Sequence, residues 1–196
     1  MKCDIILSGV GGQGILSIAA VIGEAIRTEG LNIKQAEVHG MSQRGGDVQT
    51  NLRISSDPIA SDLIPRGGAD AIISLEPMEA LRYLPYLKEG GWVVTSSSPF
   101  INIPNYPDTE ALLAELKALP NVLMLDVEQL AKDGGVARSA NILLLGAASP
   151  ILGIERKDLE GGIERIFARK GEAIIEANIK AFNIGIEAVA NQLKSK

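Results

Sequence analysis

Six residues, Gly9-Val10-Gly11-Gly12-Gln13-Gly14, constrain the fold more than any other segment of this chain. They follow the apolar run Cys3-Asp4-Ile5-Ile6-Leu7-Ser8 and lead into residues 14–29, where apolar side chains fall on nearly every side until Gly30. A short apolar run stopped by glycines reads as a buried strand, and the longer segment reads as a helix packed on a sheet. A second strand is expected at once, over residues 33–38. Strand, helix and strand within so short a span make one βαβ unit with a right-handed crossover and parallel strands. In that context Gly9 permits a tight turn, Gly11 the close approach of a ligand to bare backbone, and Gly14 the packing of helix on strand. The free amides of the first helical turn then suit a phosphate or carboxylate, with the Gln13 side chain as a further donor.

Residues 48–55 alternate polar and apolar (Val48, Thr50, Leu52, Ile54) and predict an antiparallel edge strand with one wet face. Further strands are expected over residues 69–75, 92–96 and 121–125. Pro77 opens a helix over 78–87, and an excursion at 99–108 carrying Pro99, Pro104 and Pro107 precedes a helix at 109–119. Beyond residue 127 the chain reads as helical. Residues 137–148 are nearly all small or aliphatic and break at Ser149-Pro150, and the last helix carries Ile175, Ile179, Phe182, Ile186, Val189 and Leu193 as a stripe of period 3.6. The expected fold is α/β: a three-layer, Rossmann-like, mostly parallel sheet with an antiparallel edge strand and a helical C-terminal region. Without repeats or linkers, residues 1–196 are taken as one domain.

Composition narrows the function. A 46% apolar content over 196 residues is enough to fill a core, and 19 basic against 24 acidic residues leave a net charge of −5, which argues against nucleic acid as a partner. One cysteine, Cys3, and one histidine, His39, allow neither an internal disulfide, nor a four-thiolate cluster cage, nor a multi-histidine metal site within one chain. No apolar stretch of about eighteen residues suggests a membrane span, and a cytoplasmic location is expected. No nucleophile and base stand together, so no catalytic residue is assigned. His39 alone more readily makes a local backbone hydrogen bond.

A second glycine loop, His39-Gly40-Met41-Ser42-Gln43-Arg44-Gly45-Gly46, follows the second strand and should emerge on the same carboxyl edge of the sheet as the first. Arg44 offers a planar fork of donors, Ser42 a hydroxyl and Gln43 an amide, while Gly45 and Gly46 keep the backbone open to close approach. Glu37 stands near the place where an NAD-binding fold needs an acid for the ribose. An NAD- or flavin-binding dehydrogenase therefore stays open, as does a purely structural subunit whose glycines only pack.

The run from Gly9 to Leu16, the run from Glu37 to Gly46, and Asn178, Ala181, Phe182 and Gly185 late in the chain closely resemble the gamma-type domain of 2-oxoacid:ferredoxin oxidoreductases. The resemblance extends from about residue 3 into the last helix. It implies an enzyme that decarboxylates an aryl 2-oxo acid such as indolepyruvate on thiamine diphosphate, passes two electrons through iron–sulfur clusters to ferredoxin, and releases an acyl-CoA. Thiamine diphosphate and the clusters are then expected on a larger partner subunit, with coenzyme A as co-substrate and this chain inactive and cofactor-free alone. On this reading Gly9, Gly11, Gly12, Gln13, Gly14, Glu37, Ser42, Gln43, Arg44, Gly45 and Gly46 hold an anionic group, the CoA phosphate or the substrate carboxylate.

Overall fold

A computed structural model describes residues 1–27, 29–39 and 45–194. In chain order these form β1 (Lys2–Val10), α1 (Ile15–Ile26), β2 (Asn32–His39), β3 (Asp47–Ser55), β4 (Ala69–Ser74), α2 (Pro77–Arg82) and β5 (Leu87–Ser96). There follow α3 (Thr109–Lys117), β6 (Val122–Leu125), α4 (Val127–Asp133), α5 (Ala140–Leu152), α6 (Arg156–Phe167) and α7 (Glu172–Lys194). Among the described residues one sheet has the order β2-β3-β1-β4-β5-β6, with β3 antiparallel to both its neighbours and β1, β4, β5 and β6 paired in parallel.

Alternation along the central strands divides the core into two layers. Ile5 and Leu7 of β1 point into a large cluster with α1, α5, α6 and α7, while Ile6 points the other way, towards Ala80 of α2 and Leu112 and Leu116 of α3. Strands buried on both faces are near-continuous apolar runs for this reason. The three layers, the mostly parallel sheet and the helical C-terminal region are those expected from the sequence.

Four details differ, each with a physical cause. The strand at 48–55 is antiparallel as expected but lies one place in from the edge, between β2 and β1, and β2 is the edge strand. Its polar face is covered rather than wet: Asn51 Oδ1 accepts from the Ile64 amide at 3.1 Å, and Arg53 reaches the Ser61 and Leu63 carbonyls and the buried Asp4 carboxylate. Helix α2 ends at Arg82, ahead of Pro85, which has no N–H to continue it and starts a single 3₁₀ turn instead. Strand β5 begins at Leu87, with Gly90 at positive φ absorbing a register shift opposite Ala69 and Ala71.

The fourth difference is the expected break at Ser149-Pro150. Helix α5 runs through Pro150 to Leu152. Proline leaves the carbonyl four residues back, that of Gly146, without its helical donor. The Ser149 hydroxyl donates to that carbonyl at 2.8 Å and replaces the missing bond.

Candidate functional site

The two glycine loops meet at the carboxyl end of β1. The Gly11 amide donates to the Gly46 carbonyl at 2.8 Å, and the Gly45 amide donates to the Gly11 carbonyl at 3.3 Å. Two bonds in opposite senses lock the loops together at the rim. Ser42, Gln43 and Arg44 lie outside the described residues, so the junction is defined by Gly11, Gly45 and Gly46.

Side chains shape the first loop from within. Gln13 Oε1 accepts from the Val10 amide at 2.7 Å, and its Nε2 donates to the Leu75 carbonyl at 3.2 Å beyond the end of β4. Both ends of the Gln13 amide are thus engaged inside the chain, and its role is to set the turn. A Cβ on Gly9 would come within 2.8 Å of Gln13 Oε1, so Gly9 makes room for that folded-back side chain. Gly14, at φ +86°, precedes α1 in the left-handed region; a Cβ there would meet Asn141 Nδ2 at 2.7 Å. Asn141, from α5, donates to the Gly14 carbonyl at 3.0 Å. Gly12, at φ +106°, is exposed with open space where a side chain would stand. It is the point of the turn that a ligand can approach most closely.

Crevices open on both flanks of this turn. One, of about 360 Å³, is lined by Val10, Gly11, Gly12, Gly14, Ile15, Leu16, Glu37, His39 and Val48. The other, of about 320 Å³, lies over the ends of β4 and β5 and carries more polar side chains, among them Gln13, Ser96, Glu128, Arg138 and Asn141. Gly12 and Gln13 after β1 and Leu75 after β4 put this second crevice beside the point between β1 and β4 where the strand order reverses, the position at which open α/β sheets bind ligands. Arg138 is exposed at its wall and forms no ion pair among the described residues. Asn141 and Arg138 are distant in sequence from the glycine loops, and only the packing of α5 against α1 brings them in.

Glu37 lines the first crevice and accepts from Gln35 Nε2 at 2.8 Å. Because β3 lies between β1 and β2, Glu37 stands two strand spacings from the glycine turn, on the order of 10 Å. In a dinucleotide-binding fold the acidic strand is the direct neighbour of β1, so this topology disfavours the NAD reading.

Cys3 takes no part in the site. It is buried near the start of β1, and burial first, then the Asp70 and Asp4 charges, push its thiol up to about 12. A thiol this poorly ionised suits neither metal ligation nor nucleophilic attack at neutral pH. With a thiol reagent at pH 8, Cys3 is expected to react about a hundredfold or more slowly in the folded chain than in denaturant, reflecting its lower thiolate fraction. Equal rates would show that β1 is open at its amino end.

The chain also resembles known proteins along nearly its whole length. It is 36% identical over 198 residues to the indolepyruvate oxidoreductase subunit IorB of Pyrococcus horikoshii, covering 97% of each chain, and 35% identical to that of Archaeoglobus fulgidus over 94% of each. A keto/oxoacid ferredoxin oxidoreductase gamma subunit from Geobacter sulfurreducens superposes with a TM-score of 0.72 at 26% identity, covering 97% of this chain and 98% of that one. A 2-oxoglutarate:ferredoxin oxidoreductase from Magnetococcus marinus shares the fold, with a TM-score of 0.76 at 23% identity; this chain spans 31% of it. The sequence pattern of the pyruvate ferredoxin/flavodoxin oxidoreductase family matches residues 4–188, and the chain belongs to that family.

Proposed function

We propose that this chain, acting as one domain, is the cluster-free subunit of an indolepyruvate:ferredoxin oxidoreductase. Assembled with a larger subunit, it takes part in the oxidative decarboxylation of aryl 2-oxo acids to acyl-CoA with ferredoxin as electron acceptor. Thiamine diphosphate and the iron–sulfur clusters belong to the larger subunit on this reading, since the single buried thiol here does not fit a cluster. What supports the substrate class is the near-full-length likeness to subunits named for indolepyruvate, at 34–36% identity in four archaea.

The contribution of this chain is to hold an anionic group, the CoA phosphate or the substrate carboxylate, at the two glycine loops. The observation that carries this is the reciprocal Gly11–Gly46 and Gly45–Gly11 hydrogen bonding, which builds one rim from two loops beside a crevice. Gly12 and the first turn of α1 supply backbone donors, Gly11, whose amide is spent on the Gly46 carbonyl, joins the two loops, Gln13 holds the turn, and on this reading Arg44 contributes the full charge with Ser42 and Gln43 as further donors.

Two measurements test this. Purification from the native source should bring down a larger, brown, cysteine-rich chain, and only the pair should oxidise indolepyruvate in the presence of CoA; turnover by the isolated chain refutes the subunit reading. In the assembled enzyme, Arg44→Ala should raise the KM for CoA or for the oxo acid tenfold or more, the loss of roughly one charge-assisted hydrogen bond. Unchanged constants for both substrates would remove the anion assignment.

A further inference from the structure

The excursion between β5 and α3, residues 97–108, has no regular secondary structure yet is fastened from beneath at two points. Glu76, with 0% exposure, accepts hydrogen bonds from the Phe100 amide at 3.3 Å and from the Tyr106 hydroxyl, and its other oxygen caps α2 through the Glu79 amide at 2.9 Å. Between the two anchor points, Asn102 Nδ2 donates to the Gly45 carbonyl at 2.5 Å. Gly45 is itself bonded to Gly11. The strap therefore crosses from the β4–α2 corner to the junction of the glycine loops.

The other atom of the same amide is informative. Asn102 Oδ1 is buried and has no hydrogen-bond partner among the described residues. Turning the amide round would set its oxygen against the Gly45 carbonyl, so the bond to Gly45 fixes the orientation and leaves Oδ1 without a partner among the described residues. A surface loop that needed only to be closed would not require a buried amide held in this way.

We propose that Asn102 is a positioning residue of the glycine-loop site. Held over the rim by Glu76, it fixes the Gly45 peptide against Gly11 and so sets the position of the adjoining Gly12 turn that meets the anionic substrate. The proposal rests on the reading that these loops hold such a group.

Truncating Asn102 removes one hydrogen bond and also one buried unsatisfied acceptor, two effects on folding of opposite sign. In the assembled enzyme Asn102→Ala is therefore expected to leave Tm within about 2 °C. It is also expected to raise the KM for CoA or the oxo acid roughly fivefold or more, with kcat changed less than about twofold. Asn102→Asp, which sets a carboxylate oxygen against the Gly45 carbonyl, should raise KM further. A lower Tm with unchanged KM, or a lost kcat with unchanged KM, overturns the proposal. Arg44→Ala measured alongside separates the two claims: if it raises KM and Asn102→Ala does not, the positioning role fails alone, and if neither does, both fail. Should Asn102→Ala not assemble, Asn102→Ser is judged by the same split between KM and Tm.

Discussion

Gly185→Ala is expected to destabilise the chain by about 3 kcal/mol, the upper part of the range for overpacking a core. A Cβ at Gly185 would stand 1.9 Å from the Leu143 carbonyl oxygen and 2.8 Å from the Ala147 amide nitrogen. On the facing helix, a Cβ at Gly146 would stand 2.0 Å from the Phe182 carbonyl oxygen. In each case the obstruction is backbone, which cannot swing aside as a side chain can, so helices α5 and α7 would have to separate. Their separation would uncover Phe182 and the buried residues from Ile142 to Ala148. For a chain of this length the change corresponds to a fall in Tm of roughly 6–12 °C by calorimetry. The double variant Gly146→Ala/Gly185→Ala should cost clearly less than the sum of the single ones, because the second methyl enters a gap the first has opened. Additive losses would mean that the two glycines do not share one crossing, and a Tm within about 1 °C of the parent would mean the helices are not this close.

That crossing also shows what the sequence could and could not convey. The stripe Ile175, Ile179, Phe182, Ile186, Val189 and Leu193 correctly indicates an amphipathic α7, but Ile175, Ile179 and Ile186 are only half-buried. The most deeply buried line is Asn178, Ala181, Phe182, Gly185 and Val189. Hydrophobic periodicity weights the largest apolar side chains, whereas the contact face here is chosen by how near two backbones can come. The glycine turn was legible because strand, turn and helix are local and each has its own signal. The antiparallel strand was legible in direction but not in place. The cover over Asn51 and the half-buried Arg53 comes from Ser61, Leu63 and Ile64 in the following loop, and no pattern within the strand encodes it. Asn141, near the start of the small-residue helix, reads in the sequence as a side chain that caps backbone groups, which it does, but the Gly14 carbonyl it caps is 127 residues away; Asn102 is 57 residues from Gly45 and no local motif announces it. Glu76 is the intermediate case: a glutamate before Pro77 signals a helix start, which it is, but not the strap it also holds.

Glu76→Ala is the second large effect expected. The substitution removes the cap on α2, worth about 1 kcal/mol. It also leaves the Phe100 amide and the Tyr106 hydroxyl without their acceptor; hydrogen bonds to a charged group contribute roughly 1.5–3 kcal/mol each. Since all three bonds converge on one carboxylate they are not additive, and a loss of about 3–4 kcal/mol in denaturant unfolding is the expected result. Tyr106→Phe, which removes one of the three, should cost roughly 1.5–3 kcal/mol. Alkaline pH gives an independent signature. Burial first, and then the hydrogen bond to Glu76, raise the Tyr106 hydroxyl above its ordinary value of 10.0. A group whose folded pKa exceeds its unfolded one contributes stability that is complete below the unfolded value and is lost as pH rises through the folded one. The parent should therefore lose stability above about pH 10 more steeply than Tyr106→Phe, whereas Glu76→Ala, in which burial still raises the Tyr106 hydroxyl, should follow the parent just above pH 10. Tyr83, pushed up to about 12 chiefly by burial, adds the same slope to all three and does not disturb the comparison. In the assembled enzyme Glu76→Ala should also raise KM as Asn102→Ala does, because the strap that carries Asn102 is then unfastened. If stability falls as expected while KM stays at the parent value, Glu76 supports the fold but not the rim.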